Sequence, residues 1–137
     1  MKAKKMLSFV LMDAPFENDR TSTAFRLLDA AIRAGHDINV FAYEGAVALS
    51  FAKQMPHANA AHGRDVEQEA HPLPRAWIGA LLQQAEAQGS NVDWVNCGLC
   101  VDERGVNESI AGVRRGSPAD FWAMAEASDN TLVIATK

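Results

Sequence analysis

The sequence lacks the features that mark several large classes of protein. It has only 2 cysteines, Cys97 and Cys100, which are too few for the disulfide framework of a small secreted fold. No apolar run approaches the roughly 18 residues that a membrane-spanning helix needs. Basic residues form no cluster beyond Met1–Lys5 and the net charge is -4, so nothing in the sequence attracts nucleic acid or an anionic membrane. We therefore expect no direct binding to nucleic acid and no membrane association.

The beginning of the sequence resembles a secretory signal only superficially. Lys2, Lys4 and Lys5 precede the apolar stretch Met6–Met12, which imitates the basic and hydrophobic regions of a signal peptide. The stretch ends at Asp13, and no small-residue cleavage site follows it. We interpret it as a buried first strand and expect a cytoplasmic protein.

The composition is that of an ordinary globular domain. Of the 137 residues, 48% are hydrophobic and 22% are charged. A chain of this length can bury a core without the support of a metal or a disulfide. Repeats and low-complexity segments are missing, so we expect a single domain over residues 1–137.

Hydrophobic periodicity divides the chain into alternating strand-like and helix-like segments. The strand-like segments are apolar runs of the kind found in parallel sheets that are covered on both faces; they are Lys5–Met12, Asp37–Tyr43, Val92–Asn96 and Thr131–Thr136. The helix-like segments carry apolar residues at helical spacing; they are Thr21–Ala34, Gly45–Lys53, Arg75–Gln88, Asn107–Val113 and a last helix from its N-cap Ser117 to Ser128. The stretch Gln54–Pro74 reads as a long loop. This alternation predicts an α/β domain with a mostly parallel sheet flanked by helices.

The fold class indicates where chemistry should lie. Open parallel sheets gather ligands and reactive groups at the carboxyl ends of their strands. In this chain those positions are Asp13–Thr21, Glu44–Gly45 and Cys97–Gly105. The cysteine pair is therefore predicted to lie at the edge of the sheet where function is expected.

The segment around the cysteines has the residues that thiol chemistry requires. A helical turn that begins after the strand would place Cys97 near free backbone N–H groups, which stabilise a thiolate. Cys100 follows one turn later, close enough to attack a mixed disulfide or a persulfide on Cys97. Arg104 lies about two turns beyond Cys97, so it can add positive charge on the same face. Gly105 is expected to end the turn in a left-handed conformation.

Other readings of the same residues stay open. A zinc site would need two further ligands, and the spacing of His57, His62 and His71 matches no standard zinc finger, so we expect no metal and no cofactor. The two cysteines can also be small buried hydrophobic residues. A thioredoxin-like redox motif normally follows the first strand of its fold, whereas this C-x-x-C comes late.

Several stretches of the chain together resemble a known family. Cys97 is followed seven and eight positions later by Arg104 and Gly105, as in the DsrE/DsrF/TusD-like sulfur-relay proteins. The stretches Asp13–Ser22 and Gly35–Phe41 are also similar to the pattern of that family. So is the tail from Gly112 to Ser117, followed by Phe121 and Ser128-Asp129. The resemblance covers most of the chain, and the Gln54–Pro74 loop is its least similar part.

The resemblance implies a fold, a function and partners. It implies a single flavodoxin-like domain that assembles into a homo- or hetero-oligomer, commonly a trimer or hexamer. It implies a sulfurtransferase or sulfur carrier that holds sulfane sulfur as a persulfide and passes it to a TusA-like or DsrC-like partner protein. Cys97 would accept the sulfur, and Arg104 would stabilise its thiolate. Cys100 departs from the single-cysteine pattern, so the resemblance leaves open which of the two cysteines carries the sulfur.

Two other classes of function remain as alternatives. The first is a non-catalytic oligomer that binds a partner or ligand, in which a slow reaction with alkylating reagents would reveal inert cysteines. The second is a dithiol oxidoreductase that uses Cys97 and Cys100, which would show a reversible internal disulfide of defined potential.

Overall fold

The computed structural model describes residues 2–58, 63–68, 72–105 and 108–136. The strands are β1 (Met6–Leu11), β2 (Asp37–Ala42), β3 (Val92–Cys97), β4 (Val113–Gly116) and β5 (Asn130–Ile134). The helices are α1 (Arg20–Arg33), α2 (Pro74–Gln88), α3 (Gly98–Glu103) and α4 (Pro118–Ala127), with a 3₁₀ helix (Glu44–Ser50) after β2.

The five strands form one parallel sheet in the order β4-β3-β2-β1-β5. The first four strands lie side by side in chain order, and β5 returns to the free side of β1. Because all strands run in the same direction, their carboxyl ends meet along one edge. The predicted α/β fold with a parallel sheet flanked by helices is confirmed.

Alternate residues of the strands face two separate parts of the core. Phe9 and Trp94 pack on one face with apolar residues of α1 and α2, including Leu28 and Ile78. The neighbouring positions point to the opposite face and form a second cluster. Its buried members are Val10, Phe41, Val47, Val95, Cys97, Cys100, Val101 and Met124. Both cysteines therefore belong to the smaller cluster, which α4 covers.

Strand β4 corrects the prediction of a short helix over Asn107–Val113. Asn107 lies outside the described residues, residues 108–112 are not helical, and β4 begins at Val113. The sequence hides this strand because β4 is an edge strand with only one large apolar residue. Arg114 stabilises it instead, donating from Nε and Nη2 to the two carboxylate oxygens of Asp93 on β3, both at 2.9 Å.

The other predicted segments differ mainly at their ends. The helix predicted over Gly45–Lys53 is the shorter 3₁₀ helix, and the described parts of the Gln54–Pro74 stretch hold no helix or strand before α2 begins. The predicted cap of α4 is present, since the Ser117 N–H donates to the Asp120 carboxylate at 2.8 Å. Within the described ranges, each helix is too short or too polar to cross a bilayer.

Candidate functional site

Cys97 ends β3 at the carboxyl edge of the sheet. Strand β3 pairs on one side with β2, where Asn96 is in register with Ala42, and on the other side with β4, where Cys97 is in register with Gly116. Cys97 is also the N-cap residue of α3, with extended backbone angles of φ -61 and ψ 117. Only 5% of its surface is exposed. The backbone that carries the thiol is thus held by strand pairing on both sides.

Cys100 lies beside Cys97 in the first turn of α3. Both cysteines are free thiols in the same buried cluster, and Cys97 contributes to the raised pKa of the Cys100 thiol. Cys100 has 6% of its surface exposed, and its Sγ accepts the backbone N–H of Glu44 at 3.2 Å. Both thiols therefore lie in the same buried cluster, as neighbours along α3.

The surroundings of Cys100 keep its thiol protonated. Burial raises the pKa of the Cys100 thiol above its ordinary value, because a thiolate is poorly solvated in this cluster. The Glu44 N–H opposes the rise, whereas the hydrogen bond to Cys97 and the charge of Cys97 add to it. Cys100 is therefore suited to donate a hydrogen bond to an anionic sulfur on Cys97.

Glu44 contacts the site through both its backbone and its side chain. Its backbone has a positive φ of 52, which is unfavourable for a residue with a side chain, and its N–H meets the Cys100 sulfur. The next residue must be glycine, because a Cβ at Gly45 would stand 2.8 Å from Cβ of Ala14. The sequence places Glu44 at a strand end but does not reveal these contacts.

Arg104 lies on the Cys100 side of the site. Its Nη2 pairs with the Glu44 carboxylate at 3.0 Å, and its Nη1 donates to the carbonyl oxygen of Cys100 at 3.5 Å. Gly105 then adopts the predicted left-handed conformation, with a φ of 62. The predicted action of Arg104 on the Cys97 thiolate stays a prediction, and the contacts of its guanidinium are with Glu44 and Cys100.

Arg115 of β4 is a charged residue that the sequence analysis did not assign to the site. Its Nη2 donates to the Gly98 carbonyl at 3.1 Å, and its guanidinium forms a two-pronged ion pair with Asp102 at 3.1 and 3.0 Å. The pair lowers the pKa of Asp102. The family-like tail from Gly112 to Ser117 contains this arginine but gives it no role, because its contact with Gly98 arises from the pairing of β3 with β4.

The polar residues Asp13 and Asn18, which follow β1, contact the beginning of α1. Asp13 is buried and forms an ion pair with Arg20 at 3.3 Å. The side chain of Asn18 accepts the backbone N–H of Arg20 at 2.7 Å. These contacts are the turn and capping roles that Asp and Asn commonly fill.

The buried side chain of Asn96, the residue before Cys97, holds the end of β3 in place. Asn96 is 1% exposed, and its Nδ2 donates to Oγ of Ser50 at 2.8 Å, Oγ of Ser109 at 3.1 Å and the carbonyl of Val47 at 3.3 Å. These bonds tie the end of β3 to the 3₁₀ helix and to the segment before β4. The backbone that carries Cys97 is thereby held in place from within the protein.

The histidines of the long loop give no metal site in the described part of the chain. Among the described residues, no three His, Cys, Asp or Glu side chains are grouped so that they could hold a metal ion. His57 contacts the ring of Phe16 edge-on at 4.9 Å. His62 and His71 lie outside the described residues.

An open cleft of about 710 Å³ lies away from the cysteines. Its lining runs from α2 to Asn91, Val92 and Gly112, at the amino ends of β3 and β4, and includes neither cysteine. The thiols therefore lie at the opposite end of β3 from this cleft.

Comparison with known proteins identifies the family of this chain. Residues 5–134 match the DsrE/DsrF-like family, so the chain belongs to that family, as the resemblance of its sequence indicated. It is 27% identical over 129 residues to the uncharacterized protein MK0008 of Methanopyrus kandleri, covering 93% of this chain and 92% of that protein. Its fold is similar to the crystal structure of the YchN protein of E. coli, with a TM-score of 0.68 and 22% identity, covering 96% of this chain and 99% of that one.

The environment of Cys100 predicts slow alkylation. In the Cys97→Ser variant, we expect iodoacetamide to modify Cys100 at pH 8 at least about tenfold more slowly than it modifies glutathione, because the thiol is buried and protonated. Mass spectrometry over time measures the rate, and the same variant unfolded in urea is the control. A folded variant that reacts as fast as glutathione would contradict this description of the site.

Proposed function

We propose that this protein is a sulfur carrier that holds sulfane sulfur as a persulfide on Cys97. The observation that carries the proposal is the pair of thiols at the carboxyl edge, where Cys97 is the N-cap residue of α3 and Cys100 lies one turn later in the same buried cluster. Membership of the DsrE/DsrF-like family supports the proposal, because the resemblance to that family implies sulfur relay.

The chemistry consists of two exchanges at sulfur. The Cys97 thiolate attacks the outer sulfur of a donor persulfide, which forms a Cys97 S–S bond, breaks the S–S bond of the donor and releases the donor thiolate. An acceptor thiolate then attacks the outer sulfur of the Cys97 persulfide and releases the Cys97 thiolate. The sulfur atom moves without net oxidation or reduction, so no cofactor is needed.

The protonation state of Cys100 determines whether the persulfide sulfur is transferred to a partner or released as hydrosulfide. If the Cys100 thiolate attacked the inner sulfur of the persulfide, a Cys97–Cys100 disulfide would form and hydrosulfide would leave, with the two cysteines oxidised and the outer sulfur reduced. Burial raises the pKa of Cys100, so little of the attacking thiolate exists near neutral pH. This favours transfer to a partner over the dithiol oxidoreductase reaction.

A protein acceptor suits the site better than a small metabolite. Cys97 is nearly buried, yet Leu99 between the two cysteines is 69% exposed. An exposed leucine beside a reactive thiol gives a docking protein an apolar contact close to the sulfur. We propose a TusA-like or DsrC-like protein, which presents its own reactive cysteine, as the acceptor.

The sulfur-loading experiment tests this function. We expect reduced protein treated with polysulfide to gain sulfur on the Cys97 peptide, because Cys97 is the N-cap residue of α3, whereas burial raises the pKa of the Cys100 thiol. Mass spectrometry after alkylation and peptide mapping locates the adduct. The adduct should persist in Cys100→Ser and disappear in Cys97→Ser.

The two serine variants control for each other, since each removes one small buried thiol from the same cluster. Both should keep the circular dichroism spectrum and the melting temperature of a folded domain. An adduct confined to Cys100 would move the carrier role to that residue. The absence of an adduct on both cysteines of the folded wild type would refute the proposed function.

Exposed apolar side chains support assembly into a homo-oligomer. In α4 the buried residue is Met124, while Trp122 is 66% exposed, and Val133 on the edge strand β5 is 54% exposed. We propose a trimer or hexamer, so light scattering should give about three or six times 14.8 kDa. Trp122→Glu should lower that mass at equal concentration. A wild-type mass of one chain would contradict this part of the proposal.

A further inference from the structure

We propose that Arg115 of β4 stabilises the anionic sulfur on Cys97, and that Asp102 and Gly98 position its guanidinium. The inference rests on the proposed function, and it assigns a charge-stabilising residue to that reaction. It also differs from the sequence-based assignment, which gave this role to Arg104.

Strand pairing brings Arg115 to the reactive cysteine. Cys97 is in register with Gly116, so the residue before Gly116 lies next to the end of β3. From there the Arg115 side chain reaches the Gly98 carbonyl at 3.1 Å, which belongs to the residue immediately after Cys97. Arg115 is thus hydrogen-bonded to the backbone of the residue that follows Cys97.

Gly98 allows this close approach. A Cβ at Gly98 would stand 3.1 Å from Nη2 and 3.4 Å from Nε of Arg115, and 3.3 Å from the carbonyl oxygen of Gly116. These distances are tight for a methyl group between a strand and a guanidinium. Glycine at this position therefore lets the charged plane lie directly against the first residue of α3.

Asp102 fixes the direction of the guanidinium. Its two carboxylate oxygens each accept one N–H of Arg115, which defines the plane of the group more firmly than a single bond would. The hydrogen bonds to Asp102 raise the pKa of Arg115 above its ordinary value, and the charge of Cys97 adds to the rise. The arginine therefore stays charged while a sulfur anion forms beside it.

Arg104 and Arg115 contact different residues of the thiol segment. Arg104 is paired with Glu44 and touches the carbonyl of Cys100, whereas Arg115 is paired with Asp102 and touches the carbonyl of the residue next to Cys97. A persulfide adds a second sulfur about 2 Å beyond Sγ, which extends the reach of the anion. The guanidinium of Arg115 is 57% exposed and can meet the outer sulfur.

The other charges near the thiols must be included in any test. The charged or titratable groups on the elements around Cys97 are Tyr43 and Glu44 after β2, Cys100, Asp102 and Arg104 on or after α3, Arg114 on β4 and Asp120 on α4. Arg114 is the matched control, because it is the neighbouring arginine in the same strand and is paired with Asp93 and Asp120.

The test measures how fast iodoacetamide modifies Cys97 as a function of pH. A Cys100→Ser background leaves Cys97 as the only thiol. We expect Arg115→Gln to move the midpoint of the pH–rate profile upward, so that alkylation at pH 7 slows by about three- to tenfold. Arg114→Gln and Arg104→Gln should stay within about twofold of the background. Asp102→Asn should move the midpoint upward by a smaller amount, because the guanidinium loses the carboxylate that positions it, while the charge of the exposed Asp102 is itself screened by solvent.

Further variants separate charge from structure. Arg115→Lys should restore most of the rate, and 0.5 M salt should reduce the difference between Arg115→Gln and the background, since the group is exposed. If Arg115→Gln does not fold, the pH–rate profiles of Asp102→Asn and Gly98→Ala test the inference in its place. Gly98→Ala should slow alkylation at pH 7 by displacing the guanidinium.

Three results would overturn the inference. One is a profile of Arg115→Gln that coincides with that of Arg114→Gln. Another is a slowing in Arg104→Gln alone, which would return the role to Arg104. The third, where Arg115→Gln does not fold, is an unchanged profile in both Asp102→Asn and Gly98→Ala. The test of the proposed function is separate, because alkylation of Cys97 needs no sulfur donor. If the pH–rate profile depended on Arg115 but no sulfur were loaded, the sulfur-carrier function would be refuted. Arg115 would then remain a residue that activates the Cys97 thiol.

Discussion

The pairing of β3 with a strand on each side is the constraint on which the site depends. It places Cys97 at the carboxyl edge and sets its neighbours, with Glu44 following β2 and Arg115 lying on β4. Asn96 of the same strand is held by hydrogen bonds of its side chain to Ser50 and Ser109. The site is therefore an assembly of three segments, around residues 44–50, 96–104 and 109–116, and the parallel register brings them together.

Cys97 and Cys100 are buried to a similar extent but differ in their backbone positions and in their surroundings. Cys97 ends a strand and caps a helix, whereas Cys100 lies inside the first turn, where burial raises the pKa of its thiol. A protonated neighbour that donates a hydrogen bond can stabilise a sulfur anion without consuming it. The same protonation slows the internal attack that would release the sulfur.

The sequence predicted the parts of this molecule that depend on local pattern. Apolar runs located four of the strands, and the C-x-x-C spacing placed Cys100 next to Cys97. Strand β4 was missed because an edge strand stabilised by Arg114 and Asp93 needs no apolar run. Arg115 was missed as part of the site for the same reason. Arg104 directly follows α3, but its partner Glu44 comes from the end of another strand, which spacing alone cannot reveal.

The fate of the sulfur after loading tests the central claim most directly. Wild-type protein loaded with polysulfide, freed of excess reagent, is incubated with and without a reduced TusA-like protein, and sulfide, disulfide and the mass of the acceptor are measured. The account predicts that the isolated protein keeps its sulfur and that the acceptor gains the mass of one sulfur atom. Release of sulfide at the same rate with and without the acceptor, together with a Cys97–Cys100 disulfide, would contradict it.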